Sequence, residues 1–399
     1  MKVFSNYSFD MYTEIVFGKD TESKVSELIR KYKGTKVMFV YGTGSIKRNG
    51  LYDRIVDSLN SDNISFVEFG GIKANPLRSV IDEGIKIAKN ENVDFFLGVG
   101  GGSVIDTAKT IALAIANDGD YMMFCEGVEP KVMAPVGAIN TIAAAGSETS
   151  QSLVFVDDIG DGRKIGLFWN ACRPLFAIMN PELTYTVTKY QTASGAADIF
   201  AHTFFRFFNT DTCYLGDEYC IGTLRTIIKF TPIAISDPYD YEARAELMNA
   251  ASFSHNDVTS IGKDLSHGGG EHPLESQLSG FYDTAHGAGL AVIMPAMLHY
   301  IINHGTPEHI ERVAYFAVRV FDSEQDTKNP VKTAEDGIKR FIKWLQSIGM
   351  PTTLAELGVP EAEIDAAIDR CVQNAGGLIS GFIDIDADGI AEIYQSVVK

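Results

Sequence analysis

Asp198 and His202 stand four positions apart inside an alanine-rich stretch that reads as helix. That spacing puts the two side chains one turn apart on one face, where both can reach a single ion. The plain alternative is a solvated carboxylate–imidazole pair. Against it, the flanks Ala196, Ala197, Ile199, Phe200 and Ala201 are small or apolar, and charge in such a setting needs a partner or a use. His272 and His286 lie 14 residues apart. On one unbroken helix about 21 Å would separate them, too far to share a metal. Gly280-Phe281-Tyr282-Asp283-Thr284 reads as a break that lets the chain fold back. His286 then opens an apolar helix, a costly place for an imidazole without a partner. His267, in the same glycine-rich stretch, competes with His272 for the third position. His255, His299, His304 and His309 read as polar or capping positions. One carboxylate with three imidazoles suits Fe²⁺ and Zn²⁺ alike.

A second kind of chemistry is written in glycine. Gly98-Val99-Gly100-Gly101-Gly102-Ser103 follows an apolar run and opens a helix. Backbone can approach a pyrophosphate there, and the helix N-terminus favours the anion. The usual dinucleotide fingerprint needs glycine where Ser103 stands, so the run alone also reads as a tight turn. Asn140 to Ser150 forms a second small-residue loop after another apolar run, with Ser147 or Thr149 available as a helix N-cap. Two such loops at successive strand ends are the stronger signal, because ligands sit at the carboxyl ends of parallel strands.

Those loops need a sheet to hold them. Apolar, β-branched runs at Lys36–Tyr41, Ile64–Phe69, Asp94–Val99, Val132–Ile139, Ser152–Val156, Lys164–Phe168 and Leu175–Met179 read as strands. Thr21–Lys33, Leu51–Leu59, Leu77–Lys89 and Val104–Ala116 read as helices between them. The alternation predicts βαβ units on a parallel sheet. Beyond Pro181 helical periodicity takes over, at Thr192–Phe207, Gly216–Phe230, Tyr241–Phe253, Glu308–Val318, Thr333–Ile348 and Glu361–Cys371. The expected organisation is an α/β Rossmann-like domain over 1–182 and an all-helical domain over 183–399, with the site in a cleft between them.

The net charge of −18 repels nucleic acid and anionic membranes. The five cysteines are odd in number and widely spaced, against a disulfide framework or thiolate metal site. The N-terminus lacks the apolar segment of a secretory signal, and no run is long enough to cross a bilayer. These features lead to an expected cytoplasmic location without nucleic-acid or membrane partners.

In combination the motifs resemble the iron-containing alcohol dehydrogenase family, in its butanol-dehydrogenase-like branch. Gly100-Gly101-Gly102-Ser103-Val104-Ile105-Asp106-Thr107-Ala108-Lys109 matches the signature GGGS-x-x-D-x-x-K. Gly146-Ser147-Glu148, Gly195-Ala196-Ala197-Asp198 with His202, and Leu278-Ser279-Gly280-Phe281-Tyr282-Asp283 followed by His286-Gly287-Ala288-Gly289 match further segments. The resemblance runs from about Tyr12 to Val398. It implies hydride transfer between a nicotinamide dinucleotide and a short-chain aldehyde or alcohol, in a homodimer. It also implies metal ligands Asp198, His202, His272 and His286, so that the family interval selects His272 over His267. Cofactor contacts map onto Gly42, Gly44, Ser45, Asn75, Gly101, Gly102, Ser103, Asp106, Thr141, Ser147, Ser150 and Lys164. Thr141 and Lys164 are expected on the nicotinamide ribose side. Three positions depart from the pattern: Ala145 replaces threonine, Ser276 a histidine four after the third ligand, and Asn180 an aspartate.

The stretch Tyr41-Gly42-Thr43-Gly44-Ser45-Ile46-Lys47-Arg48 resembles the branch's GGGSIK segment. It has no acid at the strand end, and Lys47 and Arg48 could receive a 2′-phosphate. That favours NADP(H) over NAD(H), unless both residues are a solvated turn. Two rival functions use the same architecture: a glycerol-dehydrogenase-like or dehydroquinate-synthase-like enzyme, and a catalytically silent nucleotide- or metal-binding protein.

Overall fold

The computed structural model of the chain describes residues 2–160, 162–282 and 284–399. Strand β1 (Lys2–Val3) is followed by β2 (Glu14–Phe17), α1 (Val25–Lys31), β3 (Lys36–Gly42), α2 (Ser45–Arg48), α3 (Leu51–Ser61), β4 (Ser65–Ile72), α4 (Arg78–Asn90), β5 (Phe95–Gly100) and α5 (Gly102–Ala116). Then come β6 (Val136–Asn140), β7 (Ser152–Val156), β8 (Lys164–Phe168) and β9 (Phe176–Met179). Helices α6 (Lys189–Phe207), α7 (Tyr214–Ser236), α8 (Tyr241–His255), α9 (Glu271–Tyr282) and α10 (His286–His304) follow, with the short strand β10 (Asp211–Thr212) after α6. The chain ends in α11 (Pro307–Phe321), α12 (Pro330–Ser347), α13 (Leu354–Leu357), α14 (Ile364–Asn374) and α15 (Ala387–Ser396).

The apolar runs of the first half become a six-stranded sheet in the order β2-β9-β6-β5-β3-β4. Every pairing in it is parallel, as strand–helix alternation requires. Its central strands β5 and β6 are buried along their whole length, the pattern of a sheet covered on both faces. Apolar side chains of α4 and α5 pack on one side and those of α1 and α3 on the other. The strand-like runs β7 and β8 form a separate antiparallel hairpin.

The chain divides into two compact units, one of Asp10–Val187 with Pro238–Asn256, the other mainly Thr188–Asp237 and Asp257–Lys399. A single cut near 182 therefore misses one exchange. Helix α8, helical in pattern, belongs to the α/β unit, and β1 pairs with β10 of the helical unit. In the helical unit Phe200 stacks on Phe341 with ring centroids 4.6 Å apart and lies against Trp344, so this aromatic run is core. Thr188 caps α6 by accepting the Gln191 amide. Thr306 and His309 close a capping box on α11. Among the described residues no helix is long and apolar enough to cross a membrane, and the five cysteines carry no disulfide.

Candidate functional site

Three segments of the helical unit converge on one point. Helix α6 supplies Asp198 and His202, both buried, one turn apart. Helix α9 supplies His272 in its first turn, and α10 begins at His286. Gly280, Phe281 and Tyr282, read as a break, are instead the last turn of α9, which ends before α10 begins; Asp283, part of that reading, lies outside the described residues. Glycines make the convergence possible. A Cβ on Gly287 would overlap the Ser194 carbonyl of α6, and one on Gly289 would overlap the Glu275 carboxylate of α9. The run His286-Gly287-Ala288-Gly289 thus lets α10 start in contact with both neighbours.

Ligand atoms of Asp198, His202 and His272 lie within 4.8 Å of one another. Asp198 Oδ1 is 3.7 Å from His202 Nε2 and 3.9 Å from His286 Nε2. These separations are too long for hydrogen bonds. They are close to the edge of a tetrahedron with metal–ligand bonds of about 2.1 Å. The rings of His202 and His272 are nearly parallel with centroids 5.2 Å apart, and His286 stands 5.4 Å from His272. Among the described residues, Asp198 Oδ1 and His272 Nε2 are buried without a hydrogen-bond partner. A buried carboxylate oxygen and a buried imidazole nitrogen left this way are costly. A cation between them removes the cost, so the donor set fits a divalent metal.

The other side of two imidazoles faces a carboxylate. His272 Nδ1 meets Glu271 Oε1 at 2.9 Å, and His286 Nδ1 pairs with Glu275 Oε2. Both glutamates are buried, held in turn by the Gly270 amide and the Ser279 hydroxyl. A carboxylate on Nδ1 fixes the tautomer and leaves Nε2 as the free donor. Burial opposes charging His272, but the hydrogen bond to Glu271 and the nearby carboxylates hold its pKa above the ordinary value. Phe205 stands edge-on to His272, with centroids 6.3 Å apart. Ser276 donates within its own helix to the Pro273 carbonyl.

In the α/β unit, Gly101, Gly102 and Ser103 form the turn from β5 into α5, whose N-cap is Gly101. A Cβ on Gly101 would come within 2.7 Å of Ile142 Cγ2, so only glycine keeps this turn close to the second loop. Thr141 follows β6, and its amide binds the Gly100 carbonyl at 3.0 Å. Gly42 ends β3, the next strand on the other side of β5, and Gly44 and Ser45 follow it. These three loops share the carboxyl edge of adjacent parallel strands. The open N-terminus of α5 and the glycine turn suit a pyrophosphate. Asn75 lies after β4 in a left-handed conformation, φ 53°.

Three residues expected at the cofactor, Asp106, Ser147 and Ser150, make buried hydrogen bonds in this region. Asp106 Oδ1 accepts from Ser147 Oγ at 2.5 Å, and Ser150 Oγ meets Ser152 Oγ at 2.9 Å. Lys109, fully buried, donates to the carbonyls of Ser147 at 3.1 Å, Ser150 at 2.9 Å and Ser152. Desolvation pushes its pKa down to about 8. Here Asp106, Ser147 and Ser150 shape the loop. Lys164 starts β8, with its charge near Asp106.

Local sequence missed Lys109, Glu271 and Glu275 as site-building residues. Lys109 carried a signal, a charge in the alanine-rich run of α5; Glu271 and Glu275 stand in a polar stretch that gave none. Of the other histidines, His304 pairs with Glu392 and His309 caps α11. His255 approaches Ser152.

A parallel sheet with a phosphate-type turn, and a helical unit gathering one carboxylate and three imidazoles, define an oxidoreductase of the alcohol dehydrogenase type. The profile described as iron-containing alcohol dehydrogenase matches residues 13–181. The C-terminal profile of the Fe-containing alcohol dehydrogenase family matches residues 192–398. NADH-dependent butanol dehydrogenase A of Clostridium acetobutylicum is 36% identical over 392 residues, 98% of this chain and 99% of that protein. NADPH-dependent aldehyde reductase YqhD of Escherichia coli is 28% identical over 398 residues, 98% of this chain and 99% of that protein. The crystal structure of NADH-dependent butanol dehydrogenase A from Thermotoga maritima superposes with a TM-score of 0.92 at 34% identity, covering 100% of both chains. The chain belongs to the iron-containing alcohol dehydrogenase family. It is an enzyme acting on CH–OH groups, as an alcohol dehydrogenase or aldehyde reductase, and the polyol and silent-binder alternatives are not favoured.

Proposed function

We propose that the enzyme interconverts short-chain aldehydes and alcohols with a nicotinamide dinucleotide, and that Asp198, His202, His272 and His286 hold a divalent metal, Fe²⁺ or Zn²⁺. The observation that carries the metal assignment is Asp198 Oδ1, buried and unbonded among the described residues, with imidazole nitrogens 3.7 and 3.9 Å away. When bound, the cation supplies Lewis acidity toward a carbonyl oxygen, and the nicotinamide supplies hydride. The chain's own residues do the rest. Glu271 and Glu275 orient two imidazoles, and Phe205 gives one side of the centre an apolar wall. Gly101 and Gly102 admit the pyrophosphate at the start of α5, and Thr141 takes the neighbouring strand end. A butanal-sized substrate follows from the relatives, whose names specify butanol dehydrogenases. The protein is read as cytoplasmic because its cysteines are unpaired, which suits a reducing compartment, and as a homodimer on the family resemblance alone.

The test is metal analysis of the purified chain, with butanal reduction followed at the absorbance of the reduced nucleotide. About one Fe²⁺ or Zn²⁺ per chain, with activity lost to a chelator and restored by that metal, is expected. A metal-free chain that reduces butanal at full rate would sink the assignment.

A further inference from the structure

Lys47 is half exposed, yet it is not without partners. Its ammonium lies 4.9 Å from the ring centre of Tyr41 and 4.4 Å from that of Tyr52. Glu68 Oε2 on β4 is 3.9 Å away. Both phenol hydroxyls donate to that carboxylate, Tyr41 to Oε2 at 2.6 Å and Tyr52 to Oε1 at 2.7 Å. The two rings meet edge-on at 5.7 Å. Lys47 is thus held by one carboxylate and two aromatic faces.

The place of this cluster matters. β3 lies beside β5, whose end forms the glycine turn, and Tyr41 is the penultimate residue of β3. In dinucleotide-binding sheets, the strand next to the pyrophosphate strand presents the group that meets the adenosine ribose. A 2′-phosphate there carries a charge of about −1.5 to −2, as other phosphate monoesters do. It needs uncommitted cations; Lys47 is engaged by Glu68, while Arg48 is exposed on the same short helix.

We propose that Glu68 determines the nucleotide: by holding Lys47 between Tyr41 and Tyr52 it withdraws the cation a 2′-phosphate needs, and its carboxylate repels that phosphate. The chain therefore takes NAD(H). The two phenols, Tyr41 first, hold the Glu68 carboxyl below its ordinary range, so it is charged at neutral pH. This inference rests on the dehydrogenase reading and names its cofactor.

The experiment is titration of the purified full chain with NADH and with NADPH, reading dissociation constants by calorimetry, without turnover. The unaltered chain is expected to bind NADH at least about tenfold more tightly. Glu68→Gln keeps both tyrosine contacts and removes the charge. It should lower the NADPH-to-NADH ratio of dissociation constants by about tenfold, the order of one screened charge contact. Glu68→Ser, on an edge strand, should do the same if the glutamine variant folds poorly. Adding Lys47→Met to Glu68→Gln should cancel the gain. An unaltered chain that prefers NADPH, or a ratio unmoved in both Glu68 variants, overturns the inference. Binding of neither nucleotide overturns the cofactor reading itself, and this inference with it.

Discussion

Lys109 and Asp198 are both charged, both buried and both on long helices, yet their surroundings differ in kind. Lys109 donates to three carbonyls that converge on it, while Asp198 Oδ1 finds only imidazole nitrogens beyond hydrogen-bond reach. The first cluster is closed: its groups satisfy one another and fix the loop between β6 and β7. The second is open: Asp198 Oδ1 and His272 Nε2 have no hydrogen-bond partner among the described residues and border a common space. A closed buried network is scaffold, because nothing further can gain by joining it. An open one costs free energy until a ligand completes it. The difference separates residues that build a site from residues that bind in it, which a list of buried charges cannot do.

The sharpest way to break the comparison is at Asp198. Asp198→Ala should abolish stoichiometric metal binding and lower kcat/KM by ~10³-fold or more, above the loss of a single charge-stabilising donor. Metal content and butanal turnover check it, and an active Asp198→Ala enzyme would refute the open-site reading. At the closed cluster, Lys109→Met should cost about 3–5 kcal/mol of stability, by stranding Asp106 and three carbonyls, while metal content stays at its original stoichiometry. Urea unfolding gives the first and elemental analysis the second. Adding Asp106→Asn should recover part of the loss. A Lys109→Met chain as stable as the original would show the cluster is not scaffold. Between these lies Glu275→Gln, expected to weaken metal affinity by roughly 10–100-fold through the His286 ring. Chelator competition measures it, and an unchanged affinity would remove Glu275 from the site. The smallest effect is expected from Ser279→Ala. It removes one hydrogen bond to Glu275 and should shift metal affinity by about fivefold or less, read in the same competition.

Much of this was legible in sequence where the signal was local. The parallel strands showed as apolar runs closed by glycine, and the Asp198–His202 pair showed as helical spacing. Strand β2, which opens on the charged Glu14, was not read. What escaped was decided by pairing across the chain. Lys47 read as a phosphate-binding cation because Glu68 reaches it only once β3 and β4 are side by side. Glu271 and Glu275 look like the solvated face of an amphipathic helix until α10 lies against them. That Lys109, the last residue of the signature, gathers the Ser147, Ser150 and Ser152 carbonyls was likewise invisible before the loop closed on it. Helix α8 announced its helicity, but periodicity does not say which unit it joins.

That last helix has a consequence for how the protein is made. Its Ser252 hydroxyl donates to the buried Glu148, and Met248 packs with Ala177 and Met179 of the sheet's β9. A chain leaving the ribosome has all six sheet strands by Met179, yet must wait for another seventy or so residues before that patch is covered. The α/β unit is thus finished only after part of the helical unit has been synthesised. A fragment ending at Val187 would present bare apolar surface and a carboxylate short of one hydrogen bond, and should aggregate unless the segment Pro238–Asn256 is supplied.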